Sequence, residues 1–389
     1  MANRDASTRR RFLALSAAAA TGLAGCAGGG QETQTTTTGT TTGGSGGDFD
    51  LDTFQGSGSL AENRPELSGT RIEDLPDLSG TLNIYLGGGE GGLYRNLLNR
   101  LRKIYPDFDP KVRSAPTAQL ANTLVEEAKG GSTPADLFWA VDAGSLGYVA
   151  DQGLTAKLPS RVTDPVPENF HPDDQWVGVA GRARAIPYNT NKLSAEDIPN
   201  KVAQFTESDA LAGSMGWAPT YGAFQAFVTA MRILRGEQET KNWLRGMVNQ
   251  KVTEYPDEFL TSNAVADGEI SAGFANHYYV LRVISSRPDA PISLTFTNND
   301  AASLVNVSGA QVLKSSNKQE LATNFVAHLL TVEAQEFFAT RAFSYPMIPG
   351  VPPVGGLPPI DELNPPEIDL RKLSNLEPTL RLMREVGVL

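Results

Sequence analysis

Beyond Leu78 the apolar positions switch repeatedly between a strand period and a helix period. Residues 81–86, Thr-Leu-Asn-Ile-Tyr-Leu, read as a strand. After the glycine loop 87–92, Leu93, Leu97, Leu98, Leu101 and Ile104 fall on one helical face. Residues 111–114 read as a second strand, 119–129 as a helix, and the apolar run 134–140 as a buried third strand. Helical patterns follow over 224–234, 241–249, 318–330 and 332–340, and the stripe Leu376, Leu380, Leu382 and Met383 closes the chain as a helix. Such alternation predicts an α/β architecture. About 310 residues are more than one core usually holds, so two lobes are expected. Two extended stretches, 177–187 and 306–313, are placed to cross between the lobes as hinge strands.

The N-terminus has a different grammar. Arg9-Arg10-Arg11-Phe12-Leu13 is a twin-arginine pattern, followed by a short apolar run to Leu23 and by small residues ahead of Cys26. The run is too short for a membrane span. Residues 1–25 therefore read as an export signal of the lipoprotein type, with Cys26 as the lipidated first residue of the mature chain. Cys26 is the only cysteine, which excludes an intrachain disulfide framework. Residues 26–78, rich in Thr, Gly and Ser, read as a tether from the outer face of the cytoplasmic membrane. Loss of residues 1–25 removes four Arg and one Asp and moves the formal charge from −11 to −14. An acidic, lysine-poor surface suits high salt and points to a halophilic archaeon; it argues against nucleic acid as a partner.

Chemistry concentrates at Tyr278 and Tyr279. Adjacent side chains on a strand point to opposite faces, but where a strand ends and the chain turns both can be aimed at one point. One reading places one ring in the core and the other on the surface. The other makes the two phenol oxygens ligands of a hard, highly charged cation. The glycine loop contains Gly87, Gly89 and Gly92 in the dinucleotide spacing, yet an exported chain has little access to such cofactors; exposed amides at a helix start favour an anion. No His or Cys spacing of a zinc site occurs, and no catalytic triad or paired-carboxylate motif.

TLNIY, TPADLFWA, GRARAIPYNT, APTYGAF, NHYY, SGAQVLKSS, KQELATNFVAHLL and RAFSYPM follow one another from about 79 to the end. In this order the chain resembles the ferric-ion-binding members of the extracellular solute-binding proteins of ABC importers. The resemblance implies a non-enzymatic, monomeric protein of the type II periplasmic-binding-protein fold. It implies one lobe of about 79–184 with 309–355 and another of about 185–308 with 356–389. Tyr278 and Tyr279 would be phenolate ligands of Fe³⁺, the transported ion, delivered to a permease and its ATPase. The His and Glu common in the family are replaced here, with Glu90 and Asp142 beside their places, and Tyr221 offers a third phenolate. Arg184, Gly222, Ala223 and Asn276 match positions around a synergistic anion such as carbonate or phosphate. The alternatives are another solute in the same fold (an anion, an iron chelate, or an organic cation boxed by Trp139, Trp217 and Tyr221) and an anchored surface enzyme.

Overall fold

A computed structural model describes residues 51–88 and 91–389. The expected signal, Cys26, the first part of the tether and Glu90 lie outside the described residues. The first half of the folded chain runs β1 (Gly80–Gly87), α1 (Gly91–Ile104), β2 (Phe108–Ala115), α2 (Thr117–Lys129), β3 (Leu137–Ala140), α3 (Ala143–Asp151), α4 (Ser160–Thr163) and β4 (Val177–Asn189). Next come β5 (Met215–Trp217), α5 (Gly222–Arg235), α6 (Glu237–Asn249), β6 (Thr253–Glu254) and α7 (Glu258–Ala266). Then follow β7 (Ala272–Gly273), β8 (Ala275–Asn276), α8 (His277–Ser286), β9 (Ile292–Thr295) and β10 (Val305–Val312). The chain finishes with α9 (Gln319–Leu329), α10 (Val332–Arg341) and α11 (Glu377–Glu385). None of the helices among the described residues is long and apolar enough to cross a membrane.

The strand order is β2-β1-β3-β10-β4-β7-β5-β6, with β8 and β9 also paired to β4. β1 is parallel to β2 and β3, and all four residues of β3 are buried, as expected of a strand covered on both faces. β4, thirteen residues long, belongs to both halves of the sheet system. Its first part pairs antiparallel with β10, through registers such as Asn306 with Arg182. Its second part pairs with β8, β9 and β7, placing Arg184 opposite Asn276. This is the expected two-lobed α/β fold, and β4 and β10 occupy the two stretches read as crossing strands.

Residues 51–78 differ from the expected tether: they pack onto the domain. Phe54 and Ile72 are fully buried. Arg64 forms a buried ion pair with Glu336 of α10, and Arg71 lies 2.6 Å from Glu333. Arg341 donates from Nε to the Phe54 carbonyl at 2.8 Å. Leu60 packs into a small apolar cluster with Leu281 of α8, Ala339 of α10 and Val354. The polar composition that reads as linker hides these anchors, because each partner lies far away in sequence.

Candidate functional site

A cavity of about 390 Å³ opens where β4 passes from one half of the sheet to the other. Gly88 after β1, Asp142 and Ser145 at the start of α3, and Asn306 of β10 line one side. Arg182 and Arg184 come from β4, and Tyr221, Gly222 and Ala223 from the start of α5. Asn276 and Tyr278 come from the start of α8, and Leu373, Ser374 and Leu376 from the chain's last segment.

The three tyrosines converge. Tyr278 and Tyr279 lie in the first turn of α8, with ring centroids 4.4 Å apart. The hydroxyl of Tyr279 is in hydrogen-bond contact with that of Tyr221, the residue preceding α5. Tyr278 and Tyr279 are buried at 2% and 7% exposure. Burial, then the neighbouring Tyr278 and Tyr221, push the Tyr279 phenol well above its ordinary value, so the unloaded site holds it protonated. Above both rings sits the guanidinium of Arg282, 4.9 Å from the Tyr278 centroid and 5.4 Å from that of Tyr279. A cation over a ring face is attracted to it and favours negative charge on the oxygen.

The starts of α5 and α8 share a second property. Neither Tyr221 nor Asn276 uses its side chain to cap its helix. A cap is ordinarily worth about 1 kcal/mol, and omitting it leaves the helix-start N–H groups without that partner, at residues that line the cavity. Asn276 instead donates from Nδ2 to the Tyr278 hydroxyl at 3.2 Å. Arg184 is ion-paired through Nη1 with the buried Glu258, while its buried Nη2 makes no hydrogen bond. Asp142, by contrast, caps α3, accepting from the Ser145 amide at 2.7 Å and its hydroxyl at 3.1 Å.

The structure thus brings together Tyr221, Tyr278, Tyr279, Asp142, Arg184, Gly222, Ala223 and Asn276. It does not assemble the aromatic box considered for an organic cation. Trp139 is fully buried and stacked on Tyr94 at 4.7 Å, and Trp217 is fully buried against Phe224 and Trp243. His277 is also turned into the interior, its Nδ1 3.2 Å from the Ala183 backbone and its ring 4.6 Å from Tyr345. Burial holds its imidazole down at about 4, hence neutral. Among the described residues no group of three or more His, Cys, Asp and Glu is arranged to hold a metal. Glu258, Arg282 and the segment around Ser374 escaped the sequence reading. Arg282 is four residues from Tyr278 and would have been visible had α8 been read as a helix; Glu258 carries no local signal.

A model of the bacterial extracellular solute-binding protein family matches residues 132–366, and the chain belongs to that family. It is 31% identical over 284 residues to the major ferric iron-binding protein of Neisseria meningitidis serogroup B, covering 72% of this chain and 85% of that one. It is 32% identical over 284 residues to iron uptake protein A2 of a Synechocystis species, covering 69% and 81%. Among solved structures, iron-bound HitA from Pseudomonas aeruginosa is similar at a TM-score of 0.68 and 29% identity, over 79% of this chain and 99% of that chain. Apo FutA2 from Synechocystis is similar at a TM-score of 0.64 and 26% identity, over 80% and 100%.

Proposed function

We propose that this protein is the substrate-binding component of an ABC importer for ferric iron, and that it acts without catalysis. The observation that carries the reading is the convergence of three phenol groups on one another beside a cavity that Asp142, Arg182 and Arg184 also line. Phenolate is a compact, anionic oxygen donor suited to a hard cation. Three phenolates from Tyr221, Tyr278 and Tyr279 balance the charge of Fe³⁺. The trivalent ion offsets the cost of removing protons from phenols whose ordinary value is about 10. A softer or less charged ion does so less well, which gives selectivity.

The rest of the coordination is assigned to Asp142, Glu90, water or a synergistic anion such as carbonate or phosphate. The open amides at Gly222 and Ala223, the Arg184 guanidinium and Asn276 surround the place such an anion would take. The two lobes, about 79–184 with 309–355 and about 185–308 with 356–389, would close on the ion about β4 and β10. Lipidated Cys26 would hold the monomer at the outer face of the membrane, beside the permease and ATPase that take up its cargo. Related proteins named for ferric binding and iron uptake support the cargo assigned here.

Titration of the iron-free protein with ferric nitrilotriacetate tests this. A visible phenolate-to-iron band should appear and should vanish in Tyr278→Phe and in Tyr279→Phe. Melting temperature should rise with free ligand as binding to the folded state requires. A colourless protein with no ferric-dependent stabilisation overturns the reading. The cavity volume favours a second form of it, a ferric chelate as cargo, since about 390 Å³ is far more than one ion occupies. Co-retention of labelled citrate with iron in equilibrium dialysis separates the two forms.

A further inference from the structure

Glu258 is a fully buried carboxylate in the first turn of α7, and it does not line the cavity. Its two oxygens hold two different elements. Oε1 takes Nη1 of Arg184 on β4, and Oε2 accepts the backbone N–H of Asn276 at 2.8 Å, where α8 begins. The Asn276 side chain completes a chain of contacts. Its Oδ1 faces the same Nη1 at 3.4 Å, so its Nδ2 is left to face Tyr278, donating to the hydroxyl oxygen at 3.2 Å. An amide in this position has one orientation that satisfies both neighbours, because guanidinium offers only donors. A phenol oxygen that accepts an N–H is better stabilised as phenolate than as phenol.

We infer that Glu258 is a positioning residue for the tyrosine site: by fixing Arg184 and the start of α8 together, it orients the Asn276 amide as a donor to the Tyr278 oxygen. This rests on Tyr278 being a ferric ligand. Glu258 touches neither the ion nor its anion; it acts on them through Asn276 and Arg184.

The test uses protein loaded with ferric nitrilotriacetate. In Glu258→Gln, which keeps shape and loses charge, the phenolate-to-iron band should shift in wavelength. Iron should pass to excess citrate roughly tenfold faster, since dissociation is where most affinity differences appear. Asn276→Ala should shift the band in the same direction, and combining the two should add little, because both break one relay. A purely structural role lowers the melting temperature and leaves the band of the loaded protein where it was. Should Glu258→Gln fail to fold, Glu258→Asp decides: it keeps the charge for Arg184 but loses reach to the Asn276 N–H, so a shifted band supports the inference. An unshifted band with unchanged release overturns it. A wild-type protein that stays colourless overturns the iron reading itself, and this inference with it; a coloured wild type with indifferent variants overturns the inference alone.

Discussion

The phenol oxygens of Tyr221 and Tyr279 touch although 58 residues separate them in sequence. In the unloaded protein such a contact needs a proton on at least one oxygen, and burial keeps the Tyr279 phenol protonated. Ligation of iron by these phenols, as proposed above, would expel protons, so affinity would rise with pH. The slope of log affinity against pH counts the phenols that ligate. Ferric nitrilotriacetate titrations followed by visible absorbance should show that Tyr221→Phe lowers this slope by about one proton. An unchanged slope removes Tyr221 from the ligand set.

Acid stability should report on two buried histidines. His328 donates from Nδ1 to the Asn324 carbonyl at 2.8 Å and accepts the Tyr105 hydroxyl at Nε2, 3.0 Å away. Burial lowers it from 6.5 to about 4. The unfolded chain takes up this proton below about pH 6.5 and the folded chain only near 4, so stability is lost as pH falls through that window. The loss is up to roughly 3 kcal/mol. His277 contributes a second proton in the same window. Urea denaturation between about pH 7 and 4 should show the dependence nearly halved in His328→Gln.

Glu336→Ala leaves the buried Arg64 guanidinium without its carboxylate. Breaking one side of a buried pair costs about 3–5 kcal/mol. The expected result is a lower melting temperature together with new protease cleavage within residues 51–68, read by mass spectrometry. Cleavage unchanged from wild type would mean that the apolar contacts of Phe54 and Leu60 hold the segment alone.

Gly147 on α3 faces the 3₁₀ turn Leu370–Ser374 at contact distance. A methyl there would lie 2.4 Å from Cγ and 3.0 Å from Cα of Arg371. Gly147→Ala should destabilise by about 1–3 kcal/mol through overpacking. Because Leu373 and Ser374 line the cavity, ferric affinity should fall with it. Thermal melts and ferric titration of the same preparation check both.

Much of the frame was legible because amphipathic helices and buried strands announce themselves. α1 and β1 begin and end within two residues of the pattern in the sequence. α7 was invisible: Thr261, Ser262, Ala264 and Ala266 are all buried, so burial around the helix is not confined to one apolar stripe. The sequence of α8 reads as the end of a strand, since the two-residue strands β7 and β8 lead straight into it. The tyrosines could be singled out by residue type alone. Their companions Glu258 and Ser374 could not, because they reach the site only through the packing of α7 and of the chain's last segment.

The attachment of residues 51–78 also sets how the molecule carries mechanical load. Arg341 grips the carbonyls of Thr53, Phe54 and Gln55, and Arg64 is locked to Glu336 further along. Tension applied at Leu51 reaches these bonds before it reaches β1, and several of them must yield together. The clamp is made to α10, so tension at Leu51 enters the domain there and not at the start of β1.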